Sequence, residues 1–123
     1  MEWVNNAIDD FCESAGLESS FETTGRIQLL FEQSGLLNIE IVREDLLLFL
    51  TRNLDWHQRD KCQYHALKLC SYEHGWPFLI RAGMLGEESL VMTAAIPLND
   101  VTLPTIEQAF NLLSRLHDEI ADQ

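Results

Sequence analysis

The run CQYHALKLCSYEH, residues 62 to 74, gathers Cys62, His65, Cys70 and His74 into one short segment. Thiolate and imidazole are the usual ligands of a structural zinc site, which wants four of them in a tetrahedron. The backbone beneath them decides whether they can converge. From Asp55, a candidate N-cap, to Gly75, a candidate C-terminal stop, the segment has helix-forming composition throughout. At roughly 100° per residue the four side chains point to about 0°, −60°, 80° and 120° and spread over about 18 Å of helix axis. One straight helix cannot close a tetrahedron with them. Cys70 and His74, four residues apart, could share an ion, but the other Cys and His residues are only Cys12, His57 and His117. The run reads as helix packing, with Cys62 and Cys70 as small core residues, and no metal site is expected.

Catalytic patterns are weaker still. GMLGEES has the glycines of a phosphate loop, yet Glu87 stands where a lysine is needed and would repel the ligand. There is no G-x-S-x-G elbow, and Asp55, His57 and the serines show no spacing that suggests a nucleophile, base and orienter. The residues imply no catalytic set, no cofactor and no enzyme.

These residues belong to 123 positions, enough for one domain with one core, so residues 1–123 are read as a single unit. Twenty acidic against eight basic residues give a formal net charge of −12. Such a field repels phosphate backbones and anionic headgroups, and no Lys/Arg cluster overrides it, so nucleic acid is excluded as a partner. The opening MEWVNNAIDDFCESAG lacks the basic and apolar regions of an export signal, and LLLFL is too short to span a membrane. Three cysteines in a chain expected to stay in the cytoplasm read as free thiols.

Apolar residues at three- and four-residue intervals (Trp3, Val4, Ala7, Ile8, Phe11, Cys12, Ala15) predict an amphipathic helix over residues 2–15, ended by Gly16. A Ser/Thr/Gly-rich loop follows. Period-two alternation in IQLLFEQ, LLNIEIV and LLLFLTRNL, with turns at Ser34-Gly35 and VRED, predicts an antiparallel meander. After the central helix, PFLIRAGM and SLVMTAAIPL form a second hairpin, and LPTIEQAFNLLSRLHDEIA a closing helix with Pro104 in its first turn. The expected fold is α+β, in the order α-β-β-β-α-β-β-α, with a twisted antiparallel sheet. In the third strand both Leu46/Leu48/Leu50 and Leu47/Phe49 are apolar, so both faces call for cover, from helices or from outside. An acidic domain with surplus apolar strand surface suits the binding of polypeptide.

The segments LFEQSGLLNIEIV, LTRNLDWH, RAGMLGEESLV and TLPTIEQAFNLLSRLHDEI, with Trp3 in an opening amphipathic helix, resemble the small type III secretion chaperones, and among these the SycN type. The resemblance runs nearly end to end. It implies a dimeric chaperone of the bacterial cytoplasm that hydrolyses no nucleotide and works at the cytoplasmic face of the secretion apparatus, with peripheral inner-membrane association through that machinery. For the SycN type it implies pairing with a second small chaperone, the YscB type, and binding of the N-terminal segment of a secreted gatekeeper of the YopN type. A homodimeric chaperone for one injected effector is the alternative within this class, and a small metal- or ligand-binding regulatory domain the alternative outside it.

On that resemblance, an extended client would lay apolar side chains into grooves beside the first helix and the meander, or add a strand at a sheet edge. Trp3, Ile8, Phe11, Leu29, Phe31, Leu47 and Phe49 are the candidate client-binding residues. Chaperones of this fold commonly pair through the central helix and the neighbouring strand of the second hairpin. Here that maps to Cys62, His65, Ala66, Leu69 and Cys70, and to Val91, Thr93 and Ala95.

Overall fold

The computed structural model describes residues 2–17, 25–70 and 75–121. Its elements are α1 (Glu2–Ser14), β1 (Arg26–Phe31), β2 (Gly35–Val42), β3 (Asp45–Asn53), α2 (Arg59–Leu69), β4 (Leu79–Leu85), β5 (Ser89–Pro97) and α3 (Leu103–Ala121). Short 3-10 turns precede α2 at Trp56–Gln58 and α3 at Leu98–Asp100. The order is the one the hydrophobic periods predict. The expected loop before β1 falls largely on residues 18–24, and the expected last turn of the central helix on 71–74, both outside the described residues.

Local chemistry sets the ends of the helices. α1 stops at Gly16, whose φ of 73° is left-handed, and the Leu17 amide donates back to the Cys12 carbonyl at 2.9 Å. Asp55 caps the 3-10 turn rather than α2, its carboxylate accepting from the His57 amide at 3.1 Å. Thr102 opens α3 through a reciprocal cap. Its hydroxyl accepts from the Thr105 amide at 3.2 Å, while its own amide donates to the Thr105 hydroxyl at 2.8 Å.

The five strands form one antiparallel sheet in the order β1-β2-β3-β5-β4. The second hairpin joins the meander through β5, which leaves β4 as an edge opposite β1. Register pairs Leu29 with Leu37, Leu37 with Leu50, Leu50 with Met92, and Met92 with Ala82, so all five strands contribute to this row. Because side chains alternate, this register sends Ile27, Ile39, Leu48, Ala94, Ile80 and their neighbours to one inner face.

The helices cover that inner face. α3 lies over β3 and β5, α1 packs on α3, and α2 packs on α3 and β4. α1 commits Val4, Ala7, Ile8, Phe11 and Cys12, and α3 commits Ile106, Ala109, Leu112, Leu113, Leu116, His117 and Ile120. α2 buries only Cys62 and Ala66.

One polar clamp joins sheet to helix. Arg52 on β3 donates from Nε to the Ser34 carbonyl at 2.5 Å and from the guanidinium to Ser114 Oγ at 3.0 Å and Asp118 at 2.6 Å. The turn it grips needs Gly35, whose φ is 114° and where an added Cβ would collide with the Thr51 carbonyl oxygen.

Candidate functional site

Among the described residues, no helix lies over the outer face of the sheet. Along the register it carries rows such as Glu40, Leu47, Ala95, Leu79 and Asn38, Phe49, Thr93, Arg81. Leu47, Phe49, Val91, Thr93 and Ala95 are half-buried by their neighbours alone, while Leu30, Leu79 and Leu85 are largely exposed. The face curls enough for Arg26 on β1 and Leu85 on β4 to line one open cleft of about 760 Å³ with Gln28, Asn38, Phe49 and Val91. Gln28 and Asn38 bond across its floor at 3.0 Å. Among outward-pointing strand residues, Arg26 and Arg81 balance Glu40 and Asp45, so this face is formally neutral in a chain of net charge −12. Apolar rows without excess charge are the composition of an interface core.

The candidate client-binding residues divide between three places. Ile8, Phe11 and Leu29 are buried in the chain's own core. Phe31, half-buried at the β1 edge, stacks on Phe110 with ring centroids 4.7 Å apart, and Phe110 meets Phe11 edge-on at 5.7 Å. Trp3 stays 48% exposed, its indole N–H donating to the Leu98 carbonyl at 3.0 Å. Leu47 and Phe49 belong to the outer sheet face, beside Ala95 and Thr93.

The candidate dimer residues divide too. Val91, Thr93 and Ala95 lie together on the outer face. Cys62 and Ala66 point inward, the Cys62 thiol donating to the Ile120 carbonyl at 3.9 Å, while His65, Leu69 and Cys70 are half-buried. The exposed side of α2 instead presents Tyr64 and Leu67, at 62% and 60% exposure, which the sequence reading passed over. Their three-residue spacing was the available signal. In α2 it was hidden by polar residues on every side of the helix.

His74, the fourth member of the Cys/His run, lies outside the described residues. Among the described residues no three His, Cys, Asp or Glu side chains converge as metal ligands. Burial pushes the Cys62 and Cys70 thiols above their ordinary pKa, which favours the protonated form and opposes metal binding. Nor is any helix among the described residues long and apolar enough to cross a membrane.

Comparison with known proteins bears on the family and the fold. Residues 3–121 match the family described as type III secretory system chaperone SycN. The chain is 37% identical to the chaperone protein SycN of Yersinia enterocolitica over 120 residues, covering 98% of both chains. Its fold is similar to a chain of the HopA1–SchA chaperone–effector complex, with TM-score 0.70, 17% identity and coverage of 98% and 94%. It is also similar to the Yersinia pestis type III secretion chaperone SycH in complex with a fragment of YscM2, with TM-score 0.70, 13% identity and coverage of 94% and 97%.

Proposed function

The chain belongs to the type III secretion chaperone SycN family, and on that premise we propose that it acts as one half of a chaperone heterodimer. Its partner is a second small chaperone of the same fold, the YscB type. Together they hold the N-terminal segment of a secreted gatekeeper of the YopN type in an extended, secretion-competent state. The activity is holding and delivery in the bacterial cytoplasm, at the face of the secretion apparatus, with no bond made or broken.

The observation that carries this reading is the outer sheet face. It is apolar, neutral and left bare by the chain's own helices, and a stable protein keeps such a surface for a partner. Val91, Thr93 and Ala95 seat the partner subunit there. Leu47 and Phe49 continue the same rows, so they are covered by that subunit unless the client reaches over β3. The client takes the other side, which holds Trp3, half-exposed at the Glu44 end of the sheet, and Phe31, half-buried at its Gly35 end, and where β1, an edge strand of the described sheet, accepts an added strand.

Light scattering and native mass spectrometry on the chain co-expressed with the partner chaperone and the gatekeeper segment test this. A stoichiometric ternary complex is the expected result. A stable homodimer indifferent to that partner overturns the heterodimer and reassigns the chain to a single injected effector.

A further inference from the structure

Trp3 stands at a corner built from three parts of the chain. Its indole N–H donates to the Leu98 carbonyl at 3.0 Å, and the Leu98 amide donates to the Glu44 carbonyl at 3.0 Å. The start of α1, the β2–β3 turn and the 3-10 turn after β5 are therefore tied in series. Asp45 sits opposite Pro97 in the β3–β5 register, which fixes the same corner from the sheet side.

These ties border an open cleft of about 370 Å³ lined by Trp3, Glu44, Asp45, Pro97, Leu98 and Asn99. An aromatic wall held by its own hydrogen bond cannot easily rotate away, yet 48% of Trp3 remains open to solvent. Among the described residues, no arginine or lysine pairs with Glu44 or Asp45, although Arg43 adjoins them in the turn. A half-exposed indole beside two unpaired carboxylates is complementary to a cation with a flat face.

We propose that this corner receives an arginine side chain of the bound polypeptide, the guanidinium lying on the Trp3 ring and paired with Glu44 and Asp45. The inference rests on the chaperone reading and deepens it, adding a charged anchor to a client surface otherwise defined by apolar contacts. Arginine fits better than lysine because its planar head stacks on an indole while its N–H groups reach a carboxylate. The net charge of −12 draws cationic segments towards the chain from a distance. The tethered ring selects where they settle.

The test uses fluorotryptophan-labelled full-length chain, in complex with its partner subunit, and fluorine NMR. The Trp3→Phe variant identifies the Trp3 resonance among those of the three tryptophans. N-acetylarginine amide should shift that resonance saturably, and N-acetylcitrulline amide, its neutral counterpart, should not. In the Glu44→Gln/Asp45→Asn variant the arginine probe should bind about tenfold more weakly. No saturable shift, an equal response to citrulline, or undiminished binding to the double variant each overturns the proposal. A chain that still assembles with partner and client while ignoring the arginine probe overturns this corner alone, whereas failure to assemble overturns the chaperone reading on which it rests.

Discussion

His117 is buried beneath the sheet on α3, with Nε2 2.7 Å from the Leu50 carbonyl. Nε2 donates in that bond, which fixes the tautomer. Burial lowers its pKa from 6.5 to about 4, with Arg52 pushing the same way and the Leu50 bond and Asp118 opposing. The unfolded imidazole takes its proton near the ordinary value, so falling pH favours the unfolded chain. The neutral histidine contributes its full stability above about pH 6.5 and loses it progressively down to about pH 4, a change of about 3 kcal/mol. Urea midpoints should therefore drop across that window. The His117→Gln variant, which keeps a donor for Leu50 but cannot titrate, should flatten the dependence between pH 6.5 and 5, and an unchanged slope would show that His117 does not set it. The period of α3 puts this residue inward, four positions after Leu113 and three before Ile120, but its polar side chain masked that signal. His117 sits beside Leu116 on the inward stripe, and only the approach of β3 supplies the carbonyl that makes a core histidine tolerable.

The outer face of β5 and the inner side of α2 make separable predictions. Ala95 lies between Leu47 and Leu79 on the outer face, in an apolar row with no helix above it. Ala95→Glu should cost the isolated chain less than about 1 kcal/mol in denaturant unfolding, yet abolish co-purification with the partner subunit, because a carboxylate would be trapped in the docked rows. Ala66 is fully buried on the inner side of α2, so Ala66→Leu should destabilise the chain by about 1–3 kcal/mol through overpacking. Ala95→Glu that leaves assembly intact would move the partner to another surface, such as the Tyr64–Leu67 side of α2. Strands were easy to read because alternation and turn residues coincide, as at Ser34-Gly35 and in VRED. Apolar residues on both faces of β3 likewise announced an unfilled surface. In α2, Cys62 is buried as its reading as a small core residue expects while Cys70 is only half-buried, and the inward turn of Ala66 was not legible, since the helix is polar all round and only its packing on α3 and β4 selects that side. The split of Ile8 from Trp3 was equally hidden, because both obey the helical period of α1 and only the tertiary packing leaves Trp3 half-exposed against the Leu98 carbonyl.

Charge and apolar surface are segregated over the whole molecule. α1 alone carries Glu2, Asp9, Asp10 and Glu13 with no basic residue, while the outer sheet face is formally neutral. Two copies meeting face to face would bury compatible apolar rows but bring together two bodies of net charge −12. That repulsion is long-ranged at low salt and fades once the screening length falls from about 30 Å at 0.01 M to about 3 Å at 1 M ionic strength. Self-association of the lone chain should therefore strengthen as salt is raised, with scattering mass growing at fixed protein concentration. A partner subunit carrying less negative charge escapes the penalty, so the heterodimer should persist across the same range. If self-association instead weakened with salt, ion pairing rather than apolar burial would hold the copies together, and the outer face would lose its claim. A salt-insensitive homodimer at low protein concentration would mean that the repulsion is too small to select against a second copy, and a distinct partner would lose its electrostatic support.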